Sequence, residues 1–423
     1  MQLTIKNPEK HYDVIIVGGG PAGCAAAIAA GRQGVKTLVI ETASCLGGMA
    51  TSGFVSKWAP MTDKEKLIYR SIPVEIVSRY KKAADIPPEK WDWVPIYPEI
   101  LKIVYDEMLA QAGVQVLYNS TVCDALTKDG KIQALIVANK KGLTPYTADA
   151  YIDCSGDADV AAYCGVKWEM GGDDGHLQPA SLCFVIGNAD LSKQTWPVLG
   201  SNPKDGLWAK VKAEGKYPNL FKHFIVAKQG NGLVWANAGH INGLDSTNPE
   251  AVSAAYAKGR SLAQEYLAAL KEYEPEAFKD AVIVTTAPAM GNRESRRIEG
   301  DYRITVEDYF ARRSFPDEVC RNSYWLDCHG KSSNSINIYA PENRYGAGDS
   351  HGIPWRCMLP VGVENLLVAG RTVSMERMAL ASIRVMPNCL GMGEAAGIGA
   401  ALASKKKVGI REIDPQEVLS YIK

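Results

Sequence analysis

The amino-acid sequence predicts a mixed α/β protein in which a Rossmann-like domain, built on a parallel sheet with a β-meander, is interleaved with an α+β cap domain. Three observations lead to this prediction. The 423 residues exceed the ~150 of one typical domain. A strand, a glycine-rich turn and a helix follow one another between residues 12 and 33. Strand-like runs recur after residue 114 and again near residue 366, which indicates a sheet assembled from distant parts of the chain.

The first unit consists of two short strands joined by a helix. Residues 12–17 and 35–40 are rich in Val and Ile, which is typical of buried parallel strands. The Ala-rich segment 22–33 between them has the composition of a helix, and Gly34 is placed to end it. This order predicts a right-handed βαβ unit at the beginning of the sheet.

The turn of this unit reads Gly18-x-Gly20-x-x-Gly23. Gly18 permits the tight turn, Gly20 lets the backbone approach a pyrophosphate, and Gly23 lets the helix pack on the strand. Glu41 ends the second strand, 18 residues after Gly23, where an acid can reach a ribose hydroxyl. The spacing therefore predicts a dinucleotide site, and the alternative is a glycine-rich turn that binds nothing.

The composition excludes several classes of function. Lys plus Arg and Asp plus Glu both number 47, so the net charge is zero and nucleic acid is not an expected partner. The ten cysteines form no CxxC pair and no zinc-type spacing, which predicts free thiols in the cytoplasm and no metal site. The uncharged run 14–31 is interrupted by Gly18-Gly19-Gly20-Pro21, so we expect neither an export signal nor a membrane span.

The segment after Glu41 resembles a second glycine loop. Residues 44–51 read SCLGGMAT, which is similar to the loop that passes under the pyrophosphate and ribityl chain in flavoproteins of the glutathione-reductase-like superfamily. The resemblance continues through a helix at 98–112, a strand at 114–118 and a meander over 121–122, 132–138 and 148–153. It implies FAD rather than NAD, with Val122 beside the adenine and the turn at Gly156 returning to the cofactor.

Segments nearer the carboxyl terminus resemble one family more closely. Segments 152–157, 293–300, 353–356, 365–371 and 382–397 are similar to those of the bacterial FAD-dependent oxidoreductases that stand near the fumarate reductase and succinate dehydrogenase flavoproteins. The glycine motif and this resemblance together assign FAD contacts to the following residues: Gly18, Gly20, Pro21, Ala22, Gly23, Glu41, Gly47, Gly48, Met49, Ala50, Thr51, Val122, Gly156, Asp157, Gly370, Arg371, Cys389, Leu390 and Gly391. The chain departs from the family pattern at Glu394, where Gln is expected, and at 376–378, where a segment with more His is usual.

Several related flavoproteins are excluded by features that the sequence lacks. There is no second strand-GxGxxG-helix unit for NAD(P) and no CxxxxC dithiol after the glycine loop, which argues against a pyridine-nucleotide disulfide reductase. No His stands in the segment 48–53 for a covalent flavin link, so non-covalent FAD is predicted. A bond from Cys389 to the flavin is the alternative, but buried cysteine is usually inert.

The predicted domains are discontinuous. Residues 1–53, 98–170 and 351–423 are assigned to the FAD-binding domain, and residues 54–97 and 171–350 to a cap or substrate domain. The second group contains seven tryptophans and one long helical period, Pro249–Tyr273. We expect a substrate pocket where the cap meets the cofactor domain.

Catalysis requires a proton acceptor and groups that hold the substrate. His329 is the preferred general base, since the neighbouring Asp327 could orient its ring and raise its pKa; Tyr339 is a second hydroxyl candidate. Arg384, just before the last helix, is expected at the pyrimidine edge of the flavin. Arg296 or Arg297 could clamp a substrate carboxylate, although the same segment could be a self-paired surface. His351, predicted to lie in a turn-like polar loop two residues after Asp349, is a further candidate, and each histidine could equally be structural.

The sequence therefore predicts an FAD-dependent dehydrogenase or oxidase that takes hydride from a small polar substrate. One alternative is the same fold acting as a reductase of an activated C=C bond. Another is a flavoprotein subunit in which FAD is not redox-active. The sequence does not identify the electron acceptor, and an oligomer remains open.

Overall fold

The computed structural model describes residues 10–172, 175–195, 206–220, 224–228, 230, 232–329 and 340–422. In chain order the strands are β1 His11–Val17, β2 Thr37–Ile40, β3 Gln115–Leu117, β4 Thr121–Lys128, β5 Lys131–Asn139, β6 Gly142–Asp153, β7 Trp168–Glu169, β8 Phe184–Gly187, β9 Phe224–Lys228, β10 Val234–Ala238, β11 Val282–Thr286, β12 Arg297–Ile298, β13 Glu318–Asn322, β14 His351–Pro354 and β15 Leu366–Val368.

The helices complete the secondary structure. They are α1 Pro21–Arg32, α2 Ser71–Ala83, α3 Pro98–Gln111, α4 Asp159–Tyr163, α5 Leu207–Glu214, α6 Pro249–Tyr273, α7 Pro275–Phe278, α8 Val306–Phe310, α9 Arg377–Ile383, α10 Met386–Lys406 and α11 Pro415–Tyr421. No helix in these described parts of the chain combines the length and apolar character needed to cross a bilayer.

A parallel sheet forms the centre of the fold. Its strand order is β3-β2-β1-β6, and β15 pairs with the far part of β6. The register places Val14 opposite Thr37 on one side of β1 and Ile15 opposite Tyr151 on the other. All four residues are buried on both faces of the sheet, as expected for parallel strands covered by helices. The predicted α/β class with a Rossmann-like parallel sheet is confirmed.

Strand β6 also belongs to the predicted meander. Its first half pairs antiparallel with β5, and β5 pairs antiparallel with β4. Its second half runs parallel to β1. One long strand therefore joins the meander to the parallel sheet.

The last long helix packs directly on the first. A side chain added at Gly393 would overlap the carbonyl oxygen of Ala22, and one added at Gly397 would overlap that of Ala26. These two glycines lie four residues apart on one face of α10 and let the two backbones approach. Helix α1 packs on the parallel sheet and begins at the glycine turn. Because α10 packs on α1, it lies on the same side of the sheet as that turn.

A second sheet has the order β11-β8-β10-β9 and is covered by α6. It has its own hydrophobic cluster, which includes Phe184, Trp208 and Tyr266. By contrast Trp58 and Ile76, from the segment assigned to the cap, are buried in the same cluster as the parallel sheet. The division of the chain into two domains stays a prediction.

Candidate active site

The glycine turn lies at the carboxyl edge of the parallel sheet, where α/β folds bind nucleotides. Gly18 has a φ of +94°, and a side chain there would overlap the carbonyl oxygen of Cys154. A side chain at Gly23 would overlap the carbonyl oxygen of Gly18. Above Gly20, by contrast, an added Cβ would meet nothing within 4 Å. Packing therefore requires the first and third glycines, and the second faces open space.

Glu41 is anchored above this turn by backbone donors. Its carboxylate accepts hydrogen bonds from the N–H of Gly19 at 2.5 Å and from the N–H of Ala43 at 2.6 Å. Each carboxylate oxygen keeps further lone pairs, so the group can still accept from a ribose hydroxyl. The two bonds hold the side chain in the position that the βαβ spacing predicts.

The second glycine loop packs on the first. The N–H of Gly47 donates to the carbonyl of Gly19 at 2.7 Å. Gly48 has a φ of +50°, and an added Cβ would lie 2.9 Å from the Cα of Gly20. The loop then forms a single helical turn, Gly48–Ala50, which includes Met49. Ala50 and Thr51 are buried, and the Thr51 hydroxyl closes the loop on the carbonyl of Leu46.

Two turns further along the chain, at 156–157 and 370–371, also lie beside the glycine loops. Arg371 lies beside Gly156, whose φ is +82°, and its Nη2 is 3.4 Å from Oδ1 of Asp157. Gly370 packs against Ala22 in the first turn of α1. The Nε of Arg371 is buried without a hydrogen-bond partner among the described residues. An open glycine cradle beside a cation with an unmade hydrogen bond fits the diphosphate of FAD.

The remaining predicted FAD contacts lie around this cradle. Pro21 begins α1, and Val122 follows Ser120, whose N–H donates to the carbonyl of Glu41. Cys389, Leu390 and Gly391 lie in the first turns of α10, where an added Cβ at Gly391 would meet Cys320. Burial raises the pKa of Cys389 to about 12, so its thiol stays protonated.

A compact polar cluster lies before the start of α10. Asp327 accepts a hydrogen bond from Nη2 of Arg384 at 3.0 Å and from the Tyr324 hydroxyl at 3.2 Å. Nε2 of His329 lies 3.2 Å from Oδ1 of the same carboxylate. Burial alone would raise the pKa of Asp327, but the bond from His329 and the charge of Arg384 bring it well below its ordinary value. Asp327 is therefore ionised, and its carboxylate bonds the side chains of Arg384, Tyr324 and His329.

The pKa of His329 moves in the direction opposite to the sequence prediction. Burial and the charge of Arg293 lower it to about 4, although Asp327 acts to raise it. Asp327 orients the ring and acts to raise its pKa, as predicted, but burial and Arg293 outweigh this effect, so the net pKa is lowered. His329 is neutral near pH 7.

Two hydrogen-bond donors in this cluster have no acceptor among the described residues. Gln178 is 2% exposed, and its Oε1 accepts the backbone N–H of His329 at 3.2 Å. This bond fixes the orientation of the amide and leaves Nε2 as a buried donor without a partner. The Nε of Arg384 is likewise a buried donor without an acceptor among the described residues. Buried unmade donors cost free energy, and a ligand with acceptor oxygens would satisfy both.

Arg293 adds a second positive charge. Its Nη1 donates to the carbonyl of Pro179 at 2.6 Å and to Oγ of Ser181 at 3.0 Å. Burial and the nearby charge of Arg384 lower the pKa of Arg293 to about 10. The sequence identified Arg293 only as one member of a basic segment. No sequence signal pointed to Gln178.

The polar cluster adjoins the nucleotide cradle. The positive charges of Arg371 and Arg384 both act on the Cys389 thiol, so the two arginines flank the same end of α10. The carbonyl of Ser52, after the second glycine loop, accepts the backbone N–H of Ala289 at 3.0 Å. The polar cluster therefore lies near the end of α10 that also adjoins Arg371 of the cradle.

Arg296 and Arg297, the other arginine candidates from the sequence, are paired with carboxylates of the protein. Arg296 pairs with Asp159 at 2.9 Å, and its guanidinium lies 5.4 Å from the ring centroid of Trp168. Arg297 is buried in an ion pair with Glu294 at 2.8 Å. The carboxylate clamp stays a prediction for Arg296, whose Nε is buried without a partner among the described residues, while the buried Arg297 is taken up by Glu294.

His351 does not lie in a polar loop beside an acid, contrary to prediction. It belongs to β14, is buried, and bonds the hydroxyl of Tyr345, while Asp349 pairs with Arg312 at 3.2 Å. Tyr339 lies outside the described residues.

A cavity of about 580 Å³ is lined in part by α10. Tyr69, Arg70, Cys320 and Glu394 are among its lining residues. Burial raises the pKa of Glu394 to about 7, while its carboxylate accepts the N–H of Ile72 at 3.3 Å. No group of three or more His, Cys, Asp or Glu residues in the described parts of the chain is arranged to hold a metal ion.

Comparison with known proteins identifies the family. The profile of the FAD dependent oxidoreductase family matches residues 13–421, so the chain belongs to this family and FAD is its cofactor. Thiamine thiazole synthase of Methanococcus vannielii is 32% identical over 164 residues, covering 36% of this chain and 59% of that protein. Thioredoxin reductase of Aquifex aeolicus is 48% identical over 48 residues, covering 11% and 15%.

A geranylgeranyl bacteriochlorophyll reductase-like protein from Thermoplasma acidophilum aligns with 97% of this chain and 82% of its own, at 15% identity and a TM-score of 0.47. The chain spans about three fifths of the thiamine thiazole synthase and much less of the thioredoxin reductase.

Proposed function

We propose that this protein is a dehydrogenase or oxidase that transfers hydride from a small anionic substrate to FAD. The observation that carries the proposal is a neutral histidine, His329, oriented by an ionised carboxylate beside two guanidinium groups. FAD, when bound, supplies the hydride acceptor. The protein then has two tasks, which are to hold the anionic group of the substrate and to remove a proton.

His329 is suited to the proton transfer. Because Nε2 faces Asp327, the neutral ring carries its proton on Nε2 and its lone pair on Nδ1. In the proposed reaction Nδ1 takes the proton from the substrate O–H or N–H, as the C–H bond beside it gives up its hydride. The substrate becomes a carbonyl compound or an imine, and the resulting imidazolium is stabilised by Asp327.

Arg384, Arg293 and Gln178 are suited to hold the anion. The unmade donors on Arg384 and Gln178 would be satisfied by carboxylate oxygens, which favours a carboxylic acid. Since the charge of Arg293 contributes to the low pKa of His329, a bound carboxylate would offset it and raise that pKa. Substrate binding would thus strengthen the base.

Three further assignments belong to this proposal. The FAD is non-covalent, which the protonated Cys389 thiol supports. The family is related to the glutathione-reductase-like superfamily and the fumarate reductase flavoproteins, and the sequence resemblance supports this assignment. A cytoplasmic location is supported by ten free cysteines. The electron acceptor and the oligomeric state are left open.

One observation favours a second function, the reduction of an activated C=C bond. The pKa of Arg293, lowered to about 10, makes this guanidinium a better proton donor than an ordinary arginine. In that direction Arg293 would protonate one carbon of the double bond while hydride reaches the other.

Anaerobic stopped-flow reduction of the bound flavin tests the proposal. A panel of small hydroxy and amino acids should include a substrate that bleaches the visible flavin band. With that substrate His329→Gln should slow reduction by about 10²–10⁴-fold, the usual contribution of a positioned base. Because the pKa of His329 in the free enzyme is about 4, kcat/KM should fall only as the pH drops through that value.

The matched control is His11→Gln, which changes an exposed histidine paired with Asp149. It should reduce at the wild-type rate. A His329→Gln variant that also reduces at that rate would overturn the base assignment. Reoxidation of reduced enzyme by activated alkenes alone would favour the second function. Failure of every donor and acceptor to exchange electrons would indicate a flavoprotein subunit without redox activity.

A further inference from the structure

Three aromatic residues form a continuous surface beside the polar cluster, and we call Trp93, Tyr324 and Trp325 the aromatic ledge. The rings of Tyr324 and Trp325 are stacked, with centroids 4.3 Å apart and planes at 27°. Trp93 lies 5.5 Å from Trp325 and 6.3 Å from Tyr324. The ledge thus extends from a buried tyrosine to a tryptophan that is 42% exposed.

The buried end of the ledge is part of the polar cluster. The hydroxyl of Tyr324 bonds Asp327, the carboxylate that also holds Arg384 and His329. Burial alternates along residues 322–329, so Trp325, Asp327 and His329 are the partly exposed members of one short segment. Because Tyr324 bonds Asp327, a ligand in contact with the exposed part of the Asp327 side chain lies next to the ledge.

The exposed end has two features that packing alone does not require. A large indole with 42% of its surface exposed leaves apolar area in water. Trp93 also has a φ of +53°, a left-handed backbone conformation that is costly for a bulky residue. The neighbouring backbone is held by the bond from the N–H of Trp58 to the carbonyl of Val94 at 2.9 Å. The chain thus keeps an indole in a strained and exposed position.

We propose that the aromatic ledge is the subsite for an aromatic ring of the substrate, which makes the substrate an aryl-bearing carboxylic acid. This inference rests on the proposed function, because the carboxylate is assigned to Arg384, Arg293 and Gln178. Aromatic rings favour offset-stacked and edge-to-face neighbours over saturated rings of similar size, and the exposed Trp93 and partly exposed Trp325 offer aromatic surface for such contact.

Equilibrium binding to the holoenzyme tests the ledge and the anion site separately. The probes are phenylacetate, cyclohexylacetate and phenylacetamide, and the readout is the change that each produces in the flavin absorption spectrum. Phenylacetate should bind about three- to tenfold more tightly than cyclohexylacetate, because only the planar ring stacks. Phenylacetate should also bind more tightly than phenylacetamide, which lacks the charge.

The variants Trp93→Leu and Trp325→Leu should each remove most of the preference for phenylacetate over cyclohexylacetate and leave the preference over phenylacetamide unchanged. Trp168→Leu is the matched control, since Trp168 is 46% exposed and lies beside Arg296, outside the ledge. It should keep both preferences. FAD content and thermal unfolding confirm that each variant is folded.

The outcomes separate the two claims. Equal affinities for phenylacetate and cyclohexylacetate, or a preference that survives both ledge variants, would overturn the ledge. No binding of phenylacetate at millimolar concentration would do the same. Equal affinities for phenylacetate and phenylacetamide would instead overturn the anion site of the proposed function, while a ring preference lost in Trp93→Leu would leave the ledge standing.

Discussion

At the scale of single residues, the three glycines of the first turn have different physical roles. Gly18 and Gly23 leave no room for a side chain because the backbone just after β6 and that of the turn itself lie against them. Gly20 has room, with an extended backbone at φ −69° and ψ −174° that any residue can adopt. Its lack of a side chain therefore serves the cofactor and not the protein fold.

This difference predicts that Gly20→Val folds but loses FAD. The valine side chain would occupy the space where the pyrophosphate approaches the backbone, so the affinity for FAD should fall at least about tenfold. The apo-protein should unfold at the wild-type temperature. FAD content after purification and the melting curve of the apo-protein measure the two effects.

Gly23→Ala is the contrasting variant, and it should be destabilised with or without FAD, since its methyl group overlaps the carbonyl of Gly18. A Gly20→Val protein that retains the wild-type FAD content would contradict the placement of the pyrophosphate.

At the scale of elements, Glu394 links α10 to the beginning of α2. It is 2% exposed, and its carboxylate accepts the N–H of Ile72 in the first turn of α2. Burial raises its pKa from 4.5 to about 7. Between these two values the folded protein keeps a proton that the unfolded chain releases. Raising the pH through this window therefore favours unfolding, and the stability present below pH 4.5 is progressively lost.

Glu394→Gln should abolish this loss. The amide can still accept the N–H of Ile72 but carries no charge at any pH. The free energy of unfolding of the wild type should contain a contribution that falls by about 3 kcal/mol between pH 4.5 and 7, and the variant should lack it. Urea unfolding at several pH values measures the difference. Glu99→Gln, at a side chain that is 80% exposed, should retain the wild-type pH dependence. Parallel curves for Glu394→Gln and wild type would contradict the raised pKa.

At the scale of the whole molecule, Glu294 connects distant parts of the chain. Its buried carboxylate accepts from Arg297 at 2.8 Å, from Arg377 of α9 at 3.1 Å and from the N–H of Gln178 at 2.8 Å. Arg297 extends the network to Glu169 of β7. One carboxylate thus fastens the segment that carries Gln178 to the helix that precedes Arg384.

Glu294→Gln should destabilise the protein by about 3–5 kcal/mol, because two buried guanidinium groups lose their shared counter-charge. The midpoint of urea unfolding measures this cost. Glu299→Gln, five residues further along the chain and 51% exposed, should change stability by less than about 0.5 kcal/mol. Similar midpoints for the two variants would show that Glu294 is not the link that its contacts indicate.

The sequence by itself determined the local parts of this protein. The strands and helix around the glycine turn lie within a few residues of their predicted bounds, and α6 spans the predicted Pro249–Tyr273. FAD and the oxidoreductase family followed from the same motifs. These features depend on hydrophobic period, on helix-ending residues and on glycine geometry, all of which act between residues close in the chain.

The tertiary structure alone decided the chemistry of the cluster before α10. Nothing near His329 in the chain indicates that Arg293 lowers its pKa, that Gln178 bonds its backbone or that Arg384 shares Asp327. Likewise no local pattern connects Arg296 with Asp159, which lies 137 positions away in the chain and pairs with it. Charge and burial depend on every group within a few ångströms, and those groups come from positions that local sequence patterns do not connect.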